Sequence, residues 1–303
     1  MVARAPEPPW QRRATEIVRI AADHQAGIRL LNLVALLPPG APSDPYAIAG
    51  WFAGRFPRGA IVDGVVYAET EGTPSPRDRA ARAERYLASA RHLFETGLGS
   101  EREWVRCAAV TGSVSYGEAR EGDDCDLLVV TRPQTVWPFL LLAFLRFRLR
   151  RDAANPPWCL NLVADEGLAE EEFLTPQGFH VAREALLARV VHGPAYYESL
   201  LRRSPWMRDE VPRLYADRVP PGDNGPPARS RAPRLVRAVN FPIFIALGCY
   251  LGAMGLVRNA RLRRAGRSEK CFRTRLSPHG LTYESVEFDL LRGAFDETTT
   301  APT

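Results

Sequence analysis

Asp124 and Asp126 stand two residues apart at the entry to an apolar run, Leu127-Leu128-Val129-Val130. Residues i and i+2 of a strand point to the same face, so both carboxylates can hold one divalent cation while Leu127 and Val129 point into apolar packing. Hard cations such as Mg²⁺, or Mn²⁺ in its place, take oxygen ligands. Gly112-Ser113 lies ten residues upstream, at the end of a second apolar run that begins near Trp104. A glycine lets the backbone turn closely against a bound anion, and Ser113 adds a hydroxyl beside exposed backbone N–H groups. Transfer chemistry on a triphosphate needs both halves. A cradle holds the anionic tail, and carboxylates hold the cations that bridge its oxygens and activate the attacking hydroxyl.

The two segments, Val110-Thr111-Gly112-Ser113-Val114-Ser115-Tyr116-Gly117 and Asp123-Asp124-Cys125-Asp126-Leu127-Leu128-Val129-Val130, resemble the signature of the DNA polymerase beta-like nucleotidyltransferase superfamily. More narrowly, the chain is similar to bacterial and archaeal nucleotidyltransferase-domain proteins of undefined substrate, which carry a Cys-x-Asn third strand like Cys159-Leu160-Asn161. The resemblance covers roughly residues 104–195. It implies Asp124 and Asp126 as catalytic metal ligands, Gly112 and Ser113 as nucleotide-binding residues, Mg²⁺ or Mn²⁺ as the cofactor, and a nucleoside triphosphate as substrate. The acceptor would be a hydroxyl on a small molecule, protein or RNA. One position departs from the pattern. Active members carry a third carboxylate on the following strand, where this chain has Asn161. An amide ligates a metal weakly and cannot act as a general base. Asp165 and Glu166 substitute only if the register differs. The alternative is therefore a catalytically degenerate protein that binds nucleotide, or one that regulates by binding DNA.

The elements that must position these residues follow from periodicity. Trp104–Val110, Asp124–Thr131 and Trp158–Ala164 read as buried strands, with a short connecting segment after Ser113 and an apolar helix over 137–149. Residues 170–191 read as another helix, broken near Thr175-Pro176. The expected fold class is α+β, a nucleotidyltransferase-type mixed sheet with helices packed against one face. His180 and Glu184, four apart on that last helix, read as a surface pair before they read as site residues. Arg183 and Arg189 are plausible phosphate contacts.

Residues 1–72 form a winged-helix-like N-terminal region. Three helical segments (14–22, 28–37 and 43–56) precede a hairpin over 60–67 with an Asp63-Gly64 turn, and Pro-rich residues 1–12 are expected to fray. A helical cap on the next domain is favoured over DNA binding. Residues 73–216 make up the nucleotidyltransferase domain. It opens with a helix over 74–97 whose arginines (Arg77, Arg79, Arg82, Arg85, Arg91) read as a solvated face, or as a face toward an anionic substrate. Residues 217–234 form a Pro/Gly-rich linker or loop, and 235–303 a helical C-terminal region. Within it, Ala238–Val257 holds 20 residues without a charge between Arg237 and Arg258. That length can cross a bilayer, and Gly248-x-x-x-Gly252 can pack helices closely. A buried core helix is the favoured reading, and membrane association the less favoured one.

Composition narrows the class. The chain has 303 residues, a formal net charge of +5, and 39 arginines beside one lysine, Lys270. Arginine suits phosphate ligands without demanding them. The five cysteines (Cys107, Cys125, Cys159, Cys249, Cys271) are odd in number and lack zinc spacing, which argues against a disulfide framework or zinc site. The first residues carry no apolar signal core, so a cytoplasmic location is expected. No G-x-G-x-x-G, Walker A or G-x-S-x-G occurs.

Overall fold

A computed structural model describes residues 7–23, 25–69, 75–149, 157–223, 225 and 231–286. In the N-terminal region, α1 (Pro9–Asp23), β1 (Ile28–Arg29), α2 (Leu30–Leu36) and α3 (Pro45–Arg55) lead into the hairpin β2 (Ala60–Val62) and β3 (Val65–Tyr67). Asp44 caps α3, its carboxylate accepting from Tyr46 N at 3.0 Å, with Pro45 in the first turn. Asp63 and Gly64 both take positive φ (51° and 75°), as a two-residue hairpin turn requires. Two details differ from the sequence expectation. Pro9 opens α1, so residues 9–12 are helical, because a proline suits the first turn. Ile28 and Arg29 form a strand that joins β3, making a three-stranded sheet of order β1-β3-β2.

The next helix, α4 (Pro76–His92), runs through a π-turn (Leu93–Gly97) and a 3-10 turn (Ser100–Trp104) into β4 (Val105–Thr111). Then come α5 (Gly112–Tyr116), β5 (Cys125–Thr131), α6 (Val136–Leu149), β6 (Trp158–Asp165), α7 (Glu166–Leu174), α8 (Phe179–Leu187) and β7 (Arg189–His192). Residues 189–191, expected as the end of a helix, are a strand. β-branched Val190 and Val191 suit an extended backbone, and Gly193 turns the chain with a φ of 60°. The chain continues through α9 (Pro194–Arg202), α10 (Trp206–Glu210) and α11 (Pro212–Arg218). Residues 219–223, 225 and 231–233 then lie outside helix and strand; of the loop expected over 217–234, residues 217–218 and 234 are helical, and 224 and 226–230 lie outside the described residues.

The C-terminal region departs most from expectation. It holds one long helix, α12 (Arg234–Arg264), but then a hairpin, β8 (Phe272–Ser277) and β9 (Gly280–Ser285), in place of more helix. Arg273, Thr274, Arg275 and Leu276 alternate in side-chain character, as an edge strand does. The hairpin completes a six-stranded sheet of order β7-β4-β5-β6-β9-β8. Only β5 and β6 pair in parallel, joined by the crossover through α6; the other pairings are antiparallel.

Helices cover both faces of this sheet, not one. Cys107, Ala109, Leu128, Val130 and Ala164 face a core shared with α1–α3 and α7–α11, while Ala108, Val110, Leu127, Val129 and Val163 face a core with α4 and α6. Burial on both sides is why β4 and β5 read as continuous apolar runs. The first core contains Ala14, Leu33 and Phe52 together with Tyr197 and Leu200, so the N-terminal region packs into it instead of forming a separate core. α12, expected as a buried helix, has only Asn240 and Gly248 buried along its length.

Candidate functional site

β4 ends at Thr111, which pairs with Asp126 of β5, and Asp126 pairs in turn with Cys159 of β6. This register brings the Gly-Ser turn over the carboxylates. Gly112 takes a φ of 66°, and a Cβ there would sit 2.5 Å from Asp126 Oδ2. Glycine is therefore required twice, for the backbone conformation and for the space.

One ligand atom each from Asp124, Asp126 and Cys159 lie within 4.8 Å of one another. Asp124 is exposed and Asp126 half-buried, on the face opposite Leu127 and Val129, as alternation requires. Burial pushes the Asp126 carboxyl up to about 7, helped by the negative charges of Asp124 and Glu184 and opposed by hydrogen bonds from Cys159 and Asn161. Two carboxylates that crowd each other in a half-dry cleft are relieved by a divalent cation.

The third corner clarifies the departure noted in the sequence. A register shift between Leu127 and Leu128 leaves Asn161 as the extra residue on β6, beside Cys159. The Cys159 thiol donates to Asn161 Oδ1 at 2.9 Å. Burial, then the charges of Asp126 and Asp124, raise the Cys159 thiol far above its usual range, so it stays neutral. A neutral thiol is a poor ligand for Mg²⁺, whereas the Asn161 carbonyl oxygen suits a hard cation. The two aspartates offer oxygen ligands that suit Mg²⁺ or Mn²⁺, and Asn161 lines the same cleft with its Oδ1 accepting from Cys159. Asp165 and Glu166 do not belong here. They sit at the far end of β6, where Asp165 caps α7 through Leu168 N (3.1 Å) and pairs with His279 (2.8 Å), and Glu166 pairs with Arg106 (2.7 Å).

The cradle differs in one respect from the simple expectation. Ser113 Oγ donates to Asp123 Oδ2 at 3.0 Å, and the same oxygen accepts from Arg120 N at 2.8 Å. Asp123 thus fixes the Ser113 hydroxyl and the Arg120 loop together. Beyond α5, Gly117 adopts φ 81°, and a Cβ there would lie 2.7 Å from Arg29 Nη2. Arg183 stacks over Tyr116 at 4.9 Å.

These groups line one cleft of about 980 Å³, which also takes Arg258 from α12 and Tyr283 from β9. Arg29, Arg120, Arg183 and Arg258, drawn from four distant stretches of chain, line it as well. Of the two arginines proposed on the α8–β7 stretch, Arg183 lines the cleft. Arg189 does not; it pairs with Glu84 (3.7 Å). The α4 arginines do not line it either, since Arg77 binds Asp63, Arg79 binds Glu118, and Arg82 donates to the Ala119 carbonyl. His180 and Glu184 are no surface pair: His180 is buried, and both line the cleft, with Glu184 pushing Tyr116 and Asp126 upward. Adjacency to Asp124 is the one signal by which sequence reading could have found Asp123; Arg29, Arg258 and Tyr283 leave none.

Comparison of the chain with protein-family models, with curated proteins and with solved structures gives no match.

Proposed function

We propose that this chain is a Mg²⁺- or Mn²⁺-dependent nucleotidyltransferase, which moves a nucleoside monophosphate from a nucleoside triphosphate to a hydroxyl acceptor. The observation that carries the reading is the placement of Asp124 and Asp126 beneath Gly112, inside a cleft that four arginines also line. A divalent cation held by these carboxylates would supply Lewis-acid stabilisation of the phosphate charge and activation of the attacking hydroxyl. The chain's own residues do the rest. Asp124 and Asp126 supply oxygen ligands. Gly112 admits the triphosphate against the backbone, and Ser113 is held in place by Asp123. Arg29, Arg120, Arg183 and Arg258 balance the charge of the tail. In this arrangement Glu184 replaces the third carboxylate that Asn161 cannot provide, as the proton acceptor near the acceptor hydroxyl.

The test is Mn²⁺-dependent nucleotide binding and pyrophosphate release, measured for the wild type, Asp126→Asn and Glu184→Gln. The expected outcome is loss of metal and nucleotide binding in Asp126→Asn. Glu184→Gln should retain binding but lose turnover by about 10²-fold or more, the scale of a removed general base. Binding of nucleotide that is unaffected by metal or by Asp126→Asn would overturn the proposal. If the wild type binds metal and nucleotide but releases no pyrophosphate, the degenerate nucleotide-binding reading replaces it.

A further inference from the structure

α12 is anchored to the body along one stripe. The Asn240 side chain accepts from Trp137 N at 3.1 Å and donates to the Pro278 carbonyl at 3.0 Å. Near the other end, Asn259 exchanges two hydrogen bonds with the Phe272 backbone, at 2.7 and 3.0 Å. The glycines of the close-packing motif face this seam. A Cβ at Gly248 would meet Trp137 of α6 at 3.9 Å, and one at Gly252 would meet Leu276 of β8 at 3.9 Å. The row of small residues is thus used inside the chain and does not serve a helix partner from outside.

The outer side carries a different signal. Val239, Phe241, Ile245, Tyr250 and Leu256 are all exposed, Phe241 at 58% and Leu256 at 74%. Of the fourteen exposed large hydrophobic side chains among the described residues, eight lie on this helix, which makes a patch instead of a scatter. Its most apolar window is only 17% buried, so the usual explanation for such a helix, the core of a soluble domain, does not apply. No charge interrupts the face from Ala238 to Val257, about 30 Å at ~1.5 Å per residue. Its ends are cationic: Arg234 and Arg237 at one, and Arg261, Arg263 and Arg264 at the other, beyond the cleft-lining Arg258, with no Asp or Glu in between.

We propose that this face of α12 docks onto an anionic lipid bilayer, lying in the interface plane with its apolar side immersed and its terminal arginines on the headgroups. The charge pattern selects this occupant. A second copy paired through α12, parallel or antiparallel, sets one cationic end against another, whereas anionic headgroups meet both ends favourably. The helix lies on the bilayer and does not cross it. Its inner stripe is bonded to β8, whose Arg273 and Arg275 side chains are 61% exposed, and crossing would drag those charges into hydrocarbon. The arginine stems bury along the acyl boundary while their heads stay in the headgroup layer. The same helix lends Leu251, Met254 and Arg258 to the cleft, so the docked face and the cleft share one element. The inference does not depend on the reaction proposed above.

Flotation of the full chain with phosphatidylglycerol–phosphatidylcholine vesicles, beside pure phosphatidylcholine vesicles, tests it. The wild type should float with the anionic vesicles, be released by alkaline carbonate, and bind far less to the neutral ones. Ile245→Asp with Leu256→Asp, both at exposed positions, should abolish flotation while leaving the urea midpoint unchanged. Arg263→Glu with Arg264→Glu should weaken anionic-vesicle affinity by at least about tenfold. A wild type that stays at the bottom, or variants that float equally, would overturn the proposal. So would carbonate-resistant insertion, or a discrete dimer that the aspartate pair converts to monomer without any vesicle binding.

Discussion

At the residue scale, Asp126 sets both the cost and the use of the site. Its carboxyl is raised from 3.8 to about 7, first by burial and then by Asp124. A raised carboxyl keeps its proton in the folded state after the unfolded chain has lost it. In the metal-free protein, stability is therefore lost as pH climbs from about 4 to about 7, and the full cost is present above that range. Asp126→Asn removes the cost. In chelator at pH 8, urea unfolding should show the variant more stable, by something on the order of 2 kcal/mol after relaxation and water are allowed for, with the gain shrinking at pH 5. Wild-type Mn²⁺ affinity should fall as pH drops below about 7, because the ion competes with that proton. An unchanged or lower stability for Asp126→Asn at pH 8 would show that burial does not strain this carboxyl. Gly112→Ala makes a complementary case. Its Cβ meets Asp126 Oδ2, and its φ of 66° suits alanine poorly. The left-handed conformation alone costs about 1–2 kcal/mol. The variant should lose nucleotide binding more steeply than it loses stability, which calorimetric titration beside thermal melts will reveal.

At the element scale, Asn240 is the joint between α12, α6 and the C-terminal hairpin. It is buried, and its amide satisfies Trp137 N and the Pro278 carbonyl at once. Asn240→Leu leaves both partners unsatisfied in a dry seam, at roughly 1–3 kcal/mol for each group. Denaturant unfolding should report that loss, and hydrogen exchange should show β8 and β9 opening first. What the sequence discloses divides along the same lines. Gly112, Ser113, Asp124 and Asp126 were legible because one short stretch carries them, and the strand–turn–strand around them is written in contiguous apolar runs. The hairpin was not, because its outer strand β8 sits at the sheet edge and alternates arginine with neutral residues, and β9 is short with a single charge, so the stretch reads as a basic amphipathic tail. β7 was missed because four residues following a helix carry too little pattern to end it. Arg29, Arg258 and Tyr283 reach the cleft only through pairings distant in sequence, and no local spacing predicts a register. The helices on both sheet faces were visible in principle, since doubly buried strands lose the alternation that a half-solvated sheet keeps.

At the scale of the whole molecule, the N-terminal region and the sheet are locked by a buried charge. Arg79 is fully buried, with Nη1 on Glu118 Oε2 at 3.4 Å and Nη2 on the Gln25 carbonyl at 2.7 Å; Glu118 also accepts from Gly27 N at 3.3 Å. Three segments thus meet at one guanidinium: α4, the link between α1 and β1, and the chain leaving α5. Burial raises the Glu118 carboxyl even with Arg79 beside it. Removing the arginine strands that carboxylate, and breaking a buried pair from one side costs about 3–5 kcal/mol. Arg79→Ala should therefore be strongly destabilised. The deficit should narrow at acidic pH, where Glu118 takes up a proton and no longer needs a partner. Adding Glu118→Gln should recover much of the loss, because no charge is then left stranded. Unfolding followed by far-ultraviolet dichroism and by tryptophan fluorescence should remain a single coincident transition in every variant. The reason is that the core beneath α1–α3 is continuous with that of α9 and α11. A separate early transition for the N-terminal region in Arg79→Ala, with Mn²⁺ binding intact, would instead make it an appended unit that the ion pair alone fastens to the sheet.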